Sequence, residues 1–305
     1  FPVSRWRGFG GETDYLGTSL ETMTWAAALL AVTSKIKIFS TVHVPVFNPV
    51  VVAKMGATLD HISRGRWGVN LVSGWSEKEF GMMGVKLLPH EERYQRTAAF
   101  IEILKGLWAD TPGTFNHHSA WYDVKDGYCL PQPKRMPEIA NAGTSEDAKE
   151  MTTSLCDWAF ISTPTVEAIS SIVEDISLRA AKKQKQVECA AFPFVLWRDS
   201  EDEAQNELEK IIAQKDEVAA QNWLDGLAIG SGSFDQFTLD MMTVGAGAVH
   251  VIGTAEQVAT KIKTMHDAGL KGVLMIFQAY LQDTIRFRKE IMPLLYEMGV
   301  ISKLS

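Results

Sequence analysis

The sequence predicts an α/β barrel, in which parallel strands alternate with helices, from three observations. Short runs rich in β-branched residues alternate with amphipathic stretches of helical length along most of the 305 residues, an order typical of βαβ units. Most of these short runs are apolar on both faces, as strands buried in a parallel sheet are. No glycine-rich dinucleotide fingerprint opens an early helix, which argues against a doubly wound sheet.

The alternation predicts seven strands with helices between them. The strands are a stub at Phe1 and residues 36–42, 66–72, 137–141, 157–161, 187–197 and 272–277. The helices are residues 18–34, 49–63, 77–83, 90–108, 144–154, 166–183, 201–214, 255–268 and 284–298, and residues 115–124 suit a small hairpin. A capping-box pattern, Thr18 with Glu21, precedes the first helix, and Pro49 stands at the first position of the second helix.

Seven strands are one fewer than a complete barrel has, and the chain opens on Phe1 rather than on a methionine. We therefore expect residues 1–305 to form a single barrel domain whose first βα unit is missing from this chain. The glycine- and serine-containing stretch 216–248 shows little periodicity, so we predict no regular structure there. It is expected to be an insertion, either a lid over the site or, alternatively, a surface excursion or a subunit contact.

Composition and charge exclude several classes of protein. The 30 Lys and Arg against 37 Asp and Glu give a net charge of −7, which argues against a nucleic-acid partner. No apolar run reaches the ~20 residues that span a bilayer, so no membrane partner is expected. Three widely spaced cysteines without a CxxC motif suit the reducing cytoplasm. His117 and His118 lack further ligands at metal-binding spacing, so no metal site is expected.

Strand ends supply the candidate site, because barrel enzymes place their active sites at the carboxyl ends of the strands. Thr41 and His43 end one predicted strand, and Asn70 lies in the next. Asn70 is a lone amide in an apolar run, and a buried amide needs hydrogen-bond partners. It either ties two strands together or points at a flavin, a substrate or an oxyanion.

Two further segments suit an anion. Gly143, Thr144 and Ser145 lead from a strand into a helix, where backbone N–H groups bind phosphate, although Ser or Thr before a helix is also an ordinary cap. Arg93, in the first turns of another helix, either reaches a phosphate through its guanidinium or lies on a solvated face.

Six segments together resemble the luciferase-like family of flavin-dependent monooxygenases (group C), closest to its pyrimidine and dimethylsulfone monooxygenases. These segments are Arg7–Gly11, Ala57–Arg66, Gly68–Trp75, Glu91–Tyr94, Pro137–Ser145 and Ile252–Ala259. The resemblance implies a TIM barrel that binds FMN in its reduced form, FMNH2, with O2 as co-substrate. It also implies a separate NAD(P)H-dependent flavin reductase as partner, and we expect a cytoplasmic homo-oligomer.

The implied reaction is oxygenation of a small molecule through a flavin peroxide, with cleavage of a C–N or C–S bond. A pyrimidine amide of the uracil type is the first expected substrate, and a dimethylsulfone- or alkanesulfonate-type substrate is the alternative. A deazaflavin-dependent oxidoreductase on the same barrel, and a non-catalytic flavin-binding protein, remain as rival functions.

The resemblance also assigns roles to residues. Flavin contacts fall on Ser4, Arg5, Asn70, Glu79, Arg93, Tyr94 and Ser145, with Gly143 and Thr144 beside them. Thr41 and Asn70 match the residues that enclose O2, and Phe1 stands where a leucine completes that enclosure in the pyrimidine enzymes. His43 is proposed to face the substrate only from its place in the strand, two residues after Thr41.

Overall fold

The computed structural model describes residues 10–12, 19–109, 115–163, 165–226, 240 and 243–302. Within these residues the chain divides into two compact units. The first runs from residue 19 to Ala159 and includes Lys182–Val187, and the second holds residues 10–12, Phe160–Ala181 and the chain from Glu188 onward. Phe1, the predicted first strand, and Thr18, the predicted cap, lie outside the described residues.

The first unit contains four neighbouring parallel strands in the order β1-β2-β5-β6, of which β6 begins in this unit. These strands are β1 (Ile38–His43), β2 (Trp67–Val72), β5 (Glu138–Asn141) and β6 (Trp158–Ile161). The hairpin strands are β3 (Phe115–His118) and β4 (Asp123–Gly127), which pair antiparallel. The helices are α1 (Thr22–Val32), α2 (Pro49–Ser63), α3 (Glu77–Met82), α4 (His90–Leu107) and α5 (Glu146–Leu155).

The second unit contains two parallel strand pairs, β7 with β10 and β8 with β9. Its strands are β7 (Glu188–Ala191), β8 (Pro193–Trp197), β9 (Val249–Gly253) and β10 (Gly272–Val273). Its helices are α6 (Ala168–Lys182), α7 (Glu201–Ala213), α8 (Glu217–Gly226), α9 (Ala255–Asp267), α10 (Tyr280–Glu290) and α11 (Met292–Glu297). In the described residues, no helix is both long and apolar enough to cross a membrane.

Two buried tryptophans organise the core of the first unit. The rings of Trp67 and Trp108 meet edge to face, with their centroids 6.2 Å apart. Each indole N–H is satisfied: Trp67 donates to Ser40 Oγ at 3.0 Å, and Trp108 donates to Ala53 O at 2.9 Å. Gly56 of α2 lies against both rings, since a Cβ there would fall 2.5 Å from Trp67. The helix-facing side of β1 and β2 is thereby fixed to α2 and α4, leaving their other side for the site.

Four sequence predictions about elements were wrong in detail. The first helix begins at Thr22, and Glu21 is its N-cap, because the Glu21 carboxylate accepts from Met23 N and Thr24 N. Glu21 is therefore the cap itself and not the glutamate at position N3 of a capping box. The single strand predicted at 187–197 is two strands that break at Phe192 and pair with different partners. The last predicted strand is regular only at Gly272–Val273, and the last helix starts earlier and breaks at Ile291.

The stretch 216–248 is partly regular, contrary to the sequence prediction. Helix α8 occupies its beginning because Asp216 caps it: Asp216 Oδ1 accepts from Ala219 N at 3.0 Å, and Oδ2 accepts from Glu12 N at 2.6 Å. Strand β9, which follows at once, was not predicted. Its run of five residues is too short to show a strong alternation, and β9 is specified by its pairing with β8.

Candidate active site

The carboxyl ends of β1 and β2 bring Thr41 and Asn70 side by side. The two residues are register partners in the parallel pair, and Asn70 Nδ2 donates to Thr41 Oγ1 at 3.2 Å. Asn70 is only 9% exposed, and its Oδ1 is buried without a hydrogen-bond partner among the described residues. Asn70 therefore ties β1 to β2, as one of the two interpretations of the sequence expected, and among the described residues its Oδ1 is an unsatisfied acceptor.

His43 lies two residues after Thr41, so its side chain leaves β1 on the same face. It is 5% exposed, and its ring and that of Phe80 meet edge to face, with the centroids 6.1 Å apart. Burial lowers the pKa of His43 to about 4, because a charged imidazolium is poorly solvated there. His43 is therefore a neutral imidazole at pH 7.

The loop after β2 is held from both sides. Phe80 of α3 packs where a side chain of Gly74 would be, since a Cβ on Gly74 would lie 2.6 Å from the Phe80 ring. Gly74 also has φ +107°, a conformation that glycine tolerates best. From the other side, Arg93 Nη1 donates to Gly74 O at 2.5 Å. Glu79, next to Phe80 in α3, is buried.

The starts of helices α4 and α5 form the second cluster. His90 Nδ1 and Asp147 Oδ2 lie 3.0 Å apart and join the two helix starts. A Cβ on Gly143 would fall 2.7 Å from Tyr94 Oη, so the backbone at Gly143 approaches the phenol closely. Ser145 Oγ accepts from Ala148 N at 3.3 Å as the N-cap of α5.

In the described residues, the predicted flavin contacts thus fall into two groups. Asn70 and Glu79 belong to β2 and to α3, which follows it, and the other group belongs to the starts of α4 and α5. Tyr94, Gly143 and Ser145 lie together at the helix starts, with Thr144 exposed beside them. Arg93 shares the first turns of α4 with Tyr94, but one arm of its guanidinium is committed to the loop after β2, while its Nε is buried without a partner. Ser4 and Arg5 lie outside the described residues.

Sequence reasoning missed the side chains that support the site rather than line it. Phe80 lies in a short helix whose pattern does not distinguish it from any core aromatic residue. Thr97 is completely buried and contacts Ser73. A signal for Thr97 existed, because it is the polar residue four positions after Arg93 on the face of α4 that also carries Phe100 and Leu104 to the core.

Histidine and cysteine side chains elsewhere have structural surroundings. His117 Nδ1 lies 3.8 Å from Glu102, and His118 Nδ1 lies 3.4 Å from Asp123. No set of three or more metal-ligating side chains converges in the part of the chain that the structure describes. Cys129, Cys156 and Cys189 are free and buried. Burial raises the pKa of Cys156 to about 12 and that of Cys189 to about 11, so both remain thiols.

A cavity of about 350 Å³ in the second unit is lined mainly by apolar side chains of α9, α10 and α11, among them Ile262, Phe287 and Leu295. It lacks the several converging polar groups that a ligand site usually has. The strand ends of the first unit, with their buried unsatisfied amide, are therefore the better candidate for the active site.

Comparisons with known proteins identify the family of the chain. Residues 6–272 match the sequence profile of the luciferase-like monooxygenase family. An FMNH2-dependent dimethylsulfone monooxygenase from Pseudomonas putida is 33% identical over 302 residues, which cover 95% of this chain and 81% of the relative. The pyrimidine monooxygenase RutA from Acinetobacter baylyi is 31% identical over 305 residues, with the same two coverages.

Solved structures show the same fold. DmoA from Hyphomicrobium sulfonivorans superposes with a TM-score of 0.80 at 20% identity, covering 94% of this chain and 73% of that chain. The riboflavin lyase RcaE superposes with a TM-score of 0.84 at 20% identity, covering 95% and 76%. The predicted α/β fold of the luciferase-like type is confirmed, and so is the predicted family. The chain is a member of the luciferase-like monooxygenase family.

Proposed function

We propose that the protein is an FMNH2- and O2-dependent monooxygenase of a small uncharged molecule, either a cyclic amide of the pyrimidine type or a sulfone. One observation carries the proposal: beside the Thr41 hydroxyl, toward the carboxyl ends of two neighbouring strands, Asn70 presents a buried amide oxygen that no described residue satisfies. An unsatisfied buried acceptor costs about 1–3 kcal/mol unless a ligand completes it. The dimethylsulfone and pyrimidine monooxygenases among the relatives support the same class of reaction.

The residues of the first unit fit reduced FMN. The two helix starts offer backbone N–H groups, the Tyr94 phenol and the Ser145 hydroxyl to a phosphate, and they lie close together, since a Cβ on Gly143 would fall 2.7 Å from Tyr94 Oη. Arg93 adds a positive charge, and its buried Nε has no hydrogen-bond partner among the described residues. Asn70 and Thr41 would meet the ring system. When bound, reduced FMN supplies the electrons that activate O2, and the protein supplies placement and electrostatics.

Donor and acceptor roles at the strand ends follow from hydrogen-bond chemistry. Asn70 uses its amide NH2 toward Thr41, which fixes the amide so that Oδ1 accepts an N–H or O–H from the ligand. Thr41 accepts from Asn70, and within the described residues it donates its own hydroxyl proton to no group, so that proton is available to a ligand oxygen. His43, neutral at pH 7, would donate and accept one hydrogen bond each toward an uncharged substrate.

A substrate panel tests the function. Protein loaded anaerobically with FMNH2 is pulsed with ¹⁸O2 in the presence of uracil, dimethylsulfone or an alkanesulfonate, and the products are analysed by mass spectrometry. We expect ¹⁸O in a product of uracil or of dimethylsulfone, but not of the charged sulfonate. Oxygen released only as hydrogen peroxide with every compound would contradict the proposed substrates. Tight binding of a deazaflavin without affinity for FMNH2 would contradict the oxygenase.

Replacement of Asn70 tests the residue assignment. In Asn70→Ala both the acceptor and the bond to Thr41 are lost, so product formation should fall about 10- to 100-fold, the equivalent of about 1.5–3 kcal/mol. Asn206→Ala, on the exposed face of α7, is the matched control and should behave as wild type. Wild-type turnover in Asn70→Ala would show that the amide serves only to tie β1 to β2.

Two partners belong to the proposal. A separate NAD(P)H-dependent flavin reductase would supply FMNH2, and the three free buried cysteines agree with the reducing cytoplasm in which such a reductase works. A second copy of the chain would cover the outer face of α1, where Trp25 is 50% and Val32 82% exposed. Helix α1 carries no charged residue, so two copies with a net charge of −7 each meet there with little repulsion.

A further inference from the structure

Two residues one turn apart on α4 hold two consecutive residues of the loop after β2. Arg93 donates to Gly74 O, and the Thr97 hydroxyl is shared between Ser73 Oγ and the Arg93 carbonyl oxygen, at 2.8 Å from each. Thr97 is completely buried, and Ser73 is nearly so. Water therefore cannot replace either partner, and a missing hydroxyl would leave the other one unsatisfied.

The contacts of Arg93 with Gly74 and of Thr97 with Ser73, here called the clamp, connect the two halves of the proposed flavin site, which are the strand ends and the starts of α4 and α5. Ser73 follows Asn70 by three residues, so the point at which Ser73 is held fixes how β2 ends. Arg93 and its neighbour Tyr94 belong to the helix start at which the phosphate would bind. The hydroxyl pair is thus a direct link between the acceptor at the strand ends and the anion site on α4.

We propose that Thr97 is a positioning residue which, through Ser73, fixes the Asn70–Thr41 pair relative to the phosphate-binding helix start. The inference rests on the proposed function. A site with its two halves held apart by a fixed distance presents the flavin ring to the strand ends in one orientation. When the clamp is lost, both halves of the site are still present, but their positions relative to each other are no longer fixed. Oxygen is then consumed without oxygenating substrate, and hydrogen peroxide is released instead.

Three variants separate positioning from stability. Thr97→Val keeps the shape and removes the hydroxyl, and Thr97→Ser restores the hydroxyl. Thr153→Val is the matched control, because Thr153 is equally buried, donates to the carbonyl four residues earlier at 2.7 Å and accepts from Lys183. We expect Thr97→Val and Thr153→Val both to lower the melting temperature. Only Thr97→Val should raise the ratio of hydrogen peroxide to product, at least threefold, with Thr97→Ser returning toward wild type.

A measurement without flavin completes the test. Hydrogen exchange of the peptide that contains residues 73–76 should speed up in Thr97→Val and stay at the wild-type rate in Thr153→Val. Unchanged exchange in that peptide, or wild-type coupling in folded Thr97→Val, would overturn the inference. If Thr97→Val fails to fold, Ser73→Ala removes the other half of the pair and is read by the same two measurements. Wild-type protein that oxygenates nothing would contradict the proposed function, while the exchange result would still decide whether the clamp exists.

Discussion

Single residues at the strand ends combine burial with polarity, and His43 shows what that combination does to charge. In the unfolded chain the imidazole has an ordinary pKa near 6.5, whereas burial in the fold lowers the pKa to about 4. Between these values the unfolded chain binds a proton that the folded chain does not. The free energy of unfolding therefore decreases as the pH falls through this window, and it is unaffected by His43 above it.

The pH dependence of stability should thus change when His43 is replaced. Between pH 7.5 and pH 5, wild-type protein should lose about 2 kcal/mol more unfolding free energy than His43→Gln, from the shift of the pKa and the linkage relation. Urea unfolding at the two pH values measures the difference. Equal losses in the two proteins would mean that His43 is solvated and charged in the native state.

Prediction from sequence reached the residues that break a pattern and missed those that support them. Asn70 stood out because an amide interrupts an apolar run, and Thr41 followed from its place at a strand end. Phe80 could not be found in this way, because a buried aromatic residue is ordinary in any core, and the only sequence signal for Thr97 was its place on the apolar face of α4. Their importance comes from Gly74 and Ser73, and those contacts depend on tertiary packing.

At the scale of elements, α2 was predicted with the bounds that the structure gives, Pro49–Ser63. Its ends are encoded locally, by Asn48 as N-cap, by proline in the first turn and by Arg64 in the left-handed conformation at its C-terminus. The break at Phe192 and the start of β9 have no such local signals, since they depend on which strands β7 and β8 find as partners. The ends of α2 were therefore predictable from local signals, whereas the break at Phe192 and the start of β9 were not.

Two glycines in helices provide opposite expectations for the same substitution. Alanine is normally favoured over glycine inside a helix by about 1 kcal/mol. At Gly56 a methyl group would collide with Trp67 and Trp108, so Gly56→Ala should lower the unfolding free energy by about 1–3 kcal/mol through overpacking. At Gly81 of α3 nothing lies within 4 Å, so Gly81→Ala should be neutral or slightly stabilising.

Chemical unfolding of the two glycine variants beside wild type measures both effects in one series. A destabilised Gly81→Ala would show that α3 is not helical in solution. An unaffected Gly56→Ala would show that the two tryptophan rings can move apart, contrary to the close contact in the structure.

At the scale of the whole molecule, the proposed homo-oligomer would form through the outer face of α1. Trp25 is the kind of residue that anchors interfaces, and Trp25→Glu would place a charge at the centre of the proposed contact. We expect the variant to elute as a monomer while the wild type elutes as a dimer or larger assembly, with masses measured by light scattering. Glu217→Gln, an exposed change in the second unit, should leave the mass unchanged. If the wild type elutes as a monomer, the proposed homo-oligomer is contradicted. The outer face of α1 would then be available to another partner, such as the reductase.

The burial of the cysteines has a consequence for the lifetime of the protein. An oxygenase that turns over without substrate exposes itself to the oxidant it releases, and oxidation of cysteine requires an accessible thiolate. Cys156 and Cys189 are buried, and their pKa values of about 12 and 11 keep them protonated. Among the residues that the structure describes, the most exposed methionine side chains are Met82 and Met136, both about half exposed. Hydrogen peroxide released by the enzyme would therefore oxidise exposed methionines, whose sulfoxides are reduced again by enzymes. The buried cysteines of the core would stay unoxidised.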